Sequence, residues 1–191
     1  MIKQAKISLQ GLECWVLNAK PPQCYNSLVL KTQKKKLGVV GVSGEYFVAA
    51  ELSQRGVVAT LTLKNTPHID VLATNLEKGS TANIQVKTMS VDNDAGWHLG
   101  PKDEEPSNIK NHFYIMVDLK GPGKIPEYII IPQKELAIFL KEDYKNYISG
   151  KKKDGTPRKD TSMRIFDPNR RIHVKEFAEK YRNNWDILNL F

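Results

Sequence analysis

The sequence predicts a mixed α/β domain: a sheet of several strands with helices packed on it. Three observations predict it. Between Leu37 and Arg55 the residues Glu45, Val48, Ala49 and Leu52 fall at i, i+3, i+4 and i+7, the spacing of a helix with one inward stripe. Ile69 to Thr74 and Ala82 to Thr88 read as two short strands joined by the polar connector N-L-E-K-G-S. His112–Leu119 and Glu127–Ile131 are apolar runs of the buried-strand type, and Pro132 then opens a second helical stripe. The resulting order is α-β-β-β-loop-β-β-α, which one mixed sheet flanked by helices satisfies.

Taken along the chain, residues 1–33 show weak strand signals at Lys6–Leu9, Cys14–Leu17 and Ser27–Lys31, broken by prolines 21 and 22, and nothing catalytic. They are compatible with an edge hairpin, a dimer arm, or a DNA contact through Lys34, Lys35 and Lys36. The first helix is expected to stop at Gly56, a residue free to take the left-handed conformation. Val57–Leu63 is a β-branched run that reads as the first core strand, and Asn65-Thr66-Pro67 turns the chain into the next. Beyond Thr88 a long polar loop carries W-H-L-G-P-K-D-E-E at 97–105. In it Trp97 and Lys102 could approach nucleic acid, Trp97 by stacking on an unpaired base, or Trp97-His98-Leu99 could be a short strand covering the core. Asp103, Glu104 and Glu105 suit repulsion of DNA better than metal ligation.

The helix after Pro132 should point Leu136, Phe139 and Leu140 inward and extend towards Tyr147. After Gly150, K-K-K-D-G-T-P-R-K-D is poor in apolar residues and rich in breakers, as a flexible loop or arm would be. Structure is expected to resume at Met163–Phe166 and in a helix around Val174–Arg182. Trp185, Ile187, Leu188 and Leu190 then pin the C-terminus to the core. The organisation expected is a basic extension (1–36), a core (37–149), a basic flexible segment (150–171) and a C-terminal helix and tail packed on the core (172–191).

Composition narrows the function. The 191 residues, 40% hydrophobic and 26% charged, are enough for one domain with a sizeable core. Residues 1–20 contain no uninterrupted apolar run, so no signal peptide or membrane span is expected, and the cytoplasm is the expected compartment. Cys14 and Cys24 are too few for a disulfide framework or a four-ligand zinc site and read as packing residues. The net charge of +8 is unevenly spread: seven lysines against Glu13 give +6 over residues 1–36, and eight bases against three aspartates give +5 over 150–171. The last twenty residues balance at zero, which leaves −3 on residues 37–149. Basic arms around an acidic middle suit phosphate-gripping flanks on either side of a metal-holding carboxylate, and equally a pair of solvated linkers. Lys34, Lys35, Lys36, Lys151, Lys152, Lys153, Arg158 and Lys159 are the candidate nucleic-acid contacts.

The chemistry concentrates between Thr66 and Thr88. Asp70 stands between Ile69 and Val71, and Gln85 and Lys87 flank Val86, so Gln85 and Lys87 share one face of their strand. If an even-numbered connector places Asp70 opposite Gln85 or Lys87, all three converge; a one-residue slip sends Asp70 to the other face. Asp70, the side-chain oxygen of Gln85 and the main-chain carbonyl of Val86 are the hard oxygen donors that Mg²⁺ (or Mn²⁺) prefers, and Lys87 would orient the attacking water and stabilise developing charge. The plain alternative is a solvent-facing strand with ordinary alternation. Glu45, at the edge of a core stripe, is either a ligand to the metal or its water, or an anion placed favourably near a helix N-terminus. His68, two residues before Asp70, would share its face and either touch a scissile phosphate or serve as a surface hydrogen-bonding group.

The strings G-E-Y-F-V-A-A-E-L-S-Q-R-G at 44–56, N-T-P-H-I-D-V-L at 65–72 and I-Q-V-K-T at 84–88 resemble the PD-(D/E)XK nuclease superfamily, which includes restriction endonucleases and Holliday-junction resolvases. The resemblance covers about residues 37–135 and, more loosely, W-D-I-L at 185–188; the 97–105 segment is similar to one in uncharacterised bacterial endonuclease-like proteins. It implies a restriction-endonuclease-like fold with an αβββ core, Asp70 as metal-binding aspartate, Gln85 at the second acidic position, Lys87 as catalytic lysine and Glu45 as the helical glutamate. Two departures matter: Ile69 stands where a proline precedes the aspartate, and Gln85 replaces an acid, which removes one charge from the metal site. The expectation is a Mg²⁺-dependent endonuclease acting on DNA. Its rival is a DNA- or partner-binding module that keeps the fold without the reaction; the basic flanks argue against a small-molecule phosphoesterase. Many members of the superfamily act as dimers, although no segment here is a clear interface.

Overall fold

The computed structural model describes residues 5–9, 12–16, 37–63 and 66–191, in two compact units, Met1–Lys35 and Lys36–Phe191. The first unit holds an antiparallel pair, β1 (Ala5–Leu9) and β2 (Leu12–Val16), with Ile7 opposite Cys14. The remaining readings in this region, the strand at Ser27–Lys31, Cys24 and the lysines at 34–36, lie outside the described residues.

The second unit opens with α1 (Leu37–Gln54), which ends as its glycine requires: Gly56 takes φ +78° and Val57 N–H returns to Leu52 C=O at 3.0 Å. Then come β3 (Val58–Leu61), β4 (Val71–Asn75) and β5 (Ser80–Met89), joined as an antiparallel meander. The long loop contains β6 (Trp97–Leu99) and a 3-10 turn at Pro101–Glu104 before β7 (His112–Asp118) and β8 (Glu127–Pro132). Next are α2 (Gln133–Ser149), β9 (Arg164–Phe166), α3 (Ile172–Glu179) and a 3-10 turn at Trp185–Leu188.

Strand order in the main sheet is β3-β4-β5-β7-β8, and β5 with β7 is its one parallel pair. Antiparallel neighbours accept short connections, whereas a parallel neighbour needs a crossover of a dozen residues or more. The polar loop after Met89 is that crossover, which accounts for its length. The α-β-β-β-loop-β-β-α order and the mixed sheet flanked by helices are therefore present. The run Val57–Leu63, expected as a core strand, is strand over Val58–Leu61 at one edge of the sheet: Val57 is buried in the core with Ala59 and Leu61 packed against it, while Val58 48% and Leu63 86% are exposed. Its β-branched residues specify a strand but not its position in the sheet.

Alternation along the strands divides the apolar residues between two cores. Val71, Ala73, Ala82, Ile84 and Val86 face Val48 and Leu52 of α1. Met89, Tyr114 and Met116 face the opposite side, with Leu136 and Leu140 of α2 and Phe166 of β9. Trp185, Leu188 and Leu190 close the α1 side, as the C-terminal W-D-I-L-N-L-F suggested. No described helix is long and apolar enough to cross a membrane.

Candidate functional site

The connector between Asn75 and Ser80 has four residues, and Asn75 shapes it by accepting the N–H groups of Glu77 and Lys78, each at 2.9 Å. An even connector fixes the pairing Val71 with Ile84 and Leu72 with Asn83. Extended by one residue, this register sets Asp70 across from Gln85, and Asp70 N–H donates to Ile84 C=O at 2.8 Å. One Asp70 oxygen, Oδ2, accepts both the Val86 N–H at 2.7 Å and the Gln85 side-chain amide. The carboxylate thus takes the place of a ladder carbonyl where β4 begins. A buried strand N–H left without an acceptor costs about 1–3 kcal/mol, so this bond alone is a structural reason for an acid at position 70.

Gln85 and Lys87 are half-buried on the face opposite α1, and no hydrogen bond or ion pair joins Lys87 to another described residue. Among the described residues its ammonium is therefore left for a ligand. Within a strand the N–H and C=O of one residue point to the same neighbour, so the Val86 carbonyl is aimed to the β4 side, past the residue where β4 has ended. Asp70, Gln85, the Val86 carbonyl and Lys87 therefore occupy one corner of the sheet. Because a carboxylate only accepts, Gln85 must present Nε2 to Asp70, which turns Oε1 away from the Asp70 Oδ2 atom.

Glu45 stands on α1, across the sheet from Gln85 and Lys87. The residue before it, Gly44, is pressed against Thr88: a Cβ there would stand 2.0 Å from Thr88 Oγ1, which itself donates to Gly41 C=O at 3.3 Å. Glu45 is half-buried beside the end of β5, but on the α1 side, whereas Gln85 and Lys87 face the α2 side. Among the described residues no group of three or more His, Cys, Asp or Glu side chains is placed to hold a metal ion. The oxygen set with Asp70 at its centre carries one formal charge. That chemistry suits a hard cation that keeps much of its water, and does not suit a tightly caged one.

Several expected contacts fall elsewhere. His68 does not share a strand face with Asp70, because β4 starts only at Val71 and the chain reverses at Pro67-His68, where His68 takes φ +62°. Trp97 is 4% exposed, its indole N–H donates to Val117 C=O at 3.3 Å, and β6 pairs with β9; it is a core residue under a two-stranded flap and cannot stack on a base. Of the acidic run after Lys102, Asp103 and Glu104 point inward as well, while Glu105 is exposed. Asp103 accepts the Gly100 N–H at 2.7 Å and the Tyr114 hydroxyl at 2.5 Å, and Glu104 pairs with the buried Arg164.

Within the 150–162 loop, residues 151–157 form a turn: Lys151 bridges to Pro157, Lys152 N–H donates to Thr156 C=O at 2.9 Å, and Asp154 binds Thr156. Lys151, Lys152, Lys153 and Lys159 are exposed on this loop. Arg158 is not free for phosphate: its guanidinium lies 4.1 Å over the Tyr147 ring and donates to Tyr147 C=O at 3.1 Å, closing the end of α2.

Two residues near the corner escaped sequence reasoning. Tyr114 is paired in register with Gln85, and burial, then Asp103, then the charge of Asp70 push its phenol far above the usual tyrosine range. His112, two residues earlier on the same face, is held neutral chiefly by burial. Period-two alternation in H-F-Y-I-M-V-D put both on one face, but only the parallel pairing of β5 with β7 sets that face beside Gln85.

Comparison of the chain with known protein families, with curated proteins and with solved structures returned no match.

Proposed function

We propose that this protein is a Mg²⁺- or Mn²⁺-dependent endonuclease of the PD-(D/E)XK type, with a restriction-endonuclease-like core, that hydrolyses phosphodiester bonds in DNA. The observation that carries the proposal is the convergence of Asp70 and Gln85 on adjacent strands, with Lys87 on the same face as Gln85 and unpaired among the described residues. Asp70, Gln85 Oε1 and the Val86 carbonyl would hold the ion, with Glu45 supporting it or its water. When bound, such an ion polarises a phosphate and makes a water more acidic at neutral pH.

The chain's own groups do the rest. Lys87 places a positive charge where the phosphorane-like transition state gathers negative charge, and such preorganised donors are worth about a hundredfold to a thousandfold each. Asp70 is oriented before any ligand arrives, because the Val86 N–H fixes one of its oxygens. The exposed lysines of the 150–162 loop grip the DNA backbone without reading its sequence.

Incubation of the purified protein with supercoiled plasmid and with branched DNA, in Mg²⁺, Mn²⁺ or EDTA, tests the reading. Metal-dependent nicking that disappears in Lys87→Ala and Asp70→Ala supports it. Lys87→Ala should fold with a stability change within about 0.5 kcal/mol, since the ammonium has no partner among the described residues. A second reading is favoured by the double occupation of Asp70 Oδ2: a DNA- or partner-binding module in which the aspartate only closes the sheet. Tight, salt-sensitive DNA binding without cleavage in any metal would select it.

A further inference from the structure

We infer that His112 is a positioning residue, a latch that holds the strap preceding β4 and thereby sets where Asp70 stands. Its Nε2 lies 3.0 Å from the carbonyl of His68. A carbonyl only accepts, so Nε2 carries the hydrogen, and Nδ1 is left as a buried lone-pair nitrogen with no hydrogen-bond partner among the described residues. The side chain thus commits its one donor to the strap.

The strap needs such a hold. His68 sits at φ +62°, a left-handed conformation uncommon outside glycine that histidine adopts more readily than most residues but still at a cost, which a bond to its carbonyl offsets. The next two carbonyls are secured from the β3 side: Ile69 C=O accepts the Thr62 hydroxyl at 2.5 Å, and Asp70 C=O accepts the Thr62 N–H at 2.9 Å. His112 supplies the third hold, from the opposite side of the sheet.

Register shows what the latch prevents. Continued in ladder fashion, the β4–β5 pairing would bring residue 68 opposite Lys87 and cover the end of β5. Instead His68 bonds to His112, whose pairing partner on β5 is Asn83, four residues back from Lys87. The strap is folded back, the Val86 N–H is left to the Asp70 carboxylate, and Lys87 is left uncovered. His112 itself has a firm base, because Asn83 N–H donates to Asn111 C=O and Asn83 Nδ2 to Lys110 C=O, each at 2.8 Å, while Asn111 Nδ2 donates to Thr81 C=O at 2.9 Å. The role in placing Asp70 stands on these bonds alone; its effect on DNA cleavage rests on the nuclease reading.

The test is amide hydrogen exchange on the full chain, with wild type, His112→Phe and His112→Gln compared. His112→Phe should speed exchange of the Val86 amide about tenfold or more while the β7–β8 amides keep their protection, as expected of a local opening. His112→Gln, whose amide can donate to the same carbonyl, should restore most of the Val86 protection. In cleavage, His112→Phe should lower kcat with KM unchanged, and the Gln variant should recover it. Val86 exchange unchanged in His112→Phe, or protection lost evenly across the sheet in both variants, overturns the latch. A wild type that cuts no DNA overturns the nuclease reading, and the exchange experiment then decides the latch by itself.

Discussion

Gln85 is the residue on which the chemistry of the corner turns. Facing Asp70, its amide donates; a divalent ion shared by the two side chains would require the amide to rotate and present its oxygen instead. Gln85→Glu separates the two uses. Without metal it sets two carboxylates side by side, a repulsion of up to about 4 kcal/mol at ~4 Å near a protein surface, relieved in part when one of them takes up a proton. The variant should therefore melt below wild type in EDTA at pH 8, and the gap should narrow at pH 5. Saturating Mn²⁺ should return the lost stability and raise nicking, because ligand bound to the native state adds about 2.7 kcal/mol at a hundredfold excess over Kd. Thermal melts with and without Mn²⁺ measure this, and a Gln85→Glu melting temperature indifferent to Mn²⁺ would exclude a cation site between positions 70 and 85.

The elements around the corner were legible in the sequence to the extent that their periodicity was strong. α1 was set by its Val48 and Leu52 stripe and its glycine stop, and the hairpin by its even connector; β7 and β8 were marked by unbroken apolar runs. What period cannot show is which strands become neighbours across a crossover, and so the Tyr114 and His112 side of the site stayed hidden, whereas of the two readings open for Trp97 the short strand over the core is the one present. Neither could it show that Gly44 is a contact. A methyl at Gly44 meets Thr88 Oγ1 at 2.0 Å and Cγ2 at 2.9 Å, so Gly44→Ala should cost about 1–3 kcal/mol by overpacking. Thr88→Ala in the same chain should recover part of that, and urea melts of the two single variants and the pair read the coupling. Titration of His112 gives a second handle on the same elements. Burial holds its pKa below 6.5, the His68 carbonyl opposes that shift and the His68 ring adds to it; the Tyr114 ring, 5.7 Å away, is uncharged. The unfolded chain then binds the proton more readily than the native one. This contribution to stability is complete above pH 6.5 and is lost as pH falls below it, towards the folded value. Urea melts between pH 7.5 and 5 should show a shallower acid loss in His112→Gln than in wild type.

At the scale of the whole molecule the charge distribution decides what the protein meets. The chain carries +8, while residues 37–149, which include the carboxylate corner, sum to −3; attraction to a polyanion must come from the basic segments on either side. Within 150–171 the structure sorts these charges into two kinds. Arg158, Arg164 and Arg171 are committed, to Tyr147, to Glu104 and to Asp143, and their loss should register as lowered stability. Lys151, Lys152, Lys153 and Lys159 are exposed on a loop whose turn at 151–157 is closed by its own backbone, so replacing them should leave the fold intact. Each lysine that meets a phosphate releases a counterion, and the slope of log K against log salt falls by about 0.9 for each such contact removed from duplex DNA. The quadruple Lys→Gln variant should therefore bind DNA with a slope shallower by roughly 2–4, with an unchanged melting temperature and an unchanged nicking rate at saturating DNA. Fluorescence anisotropy over a salt series measures the slope. An unaltered slope would make the turn a solvated face.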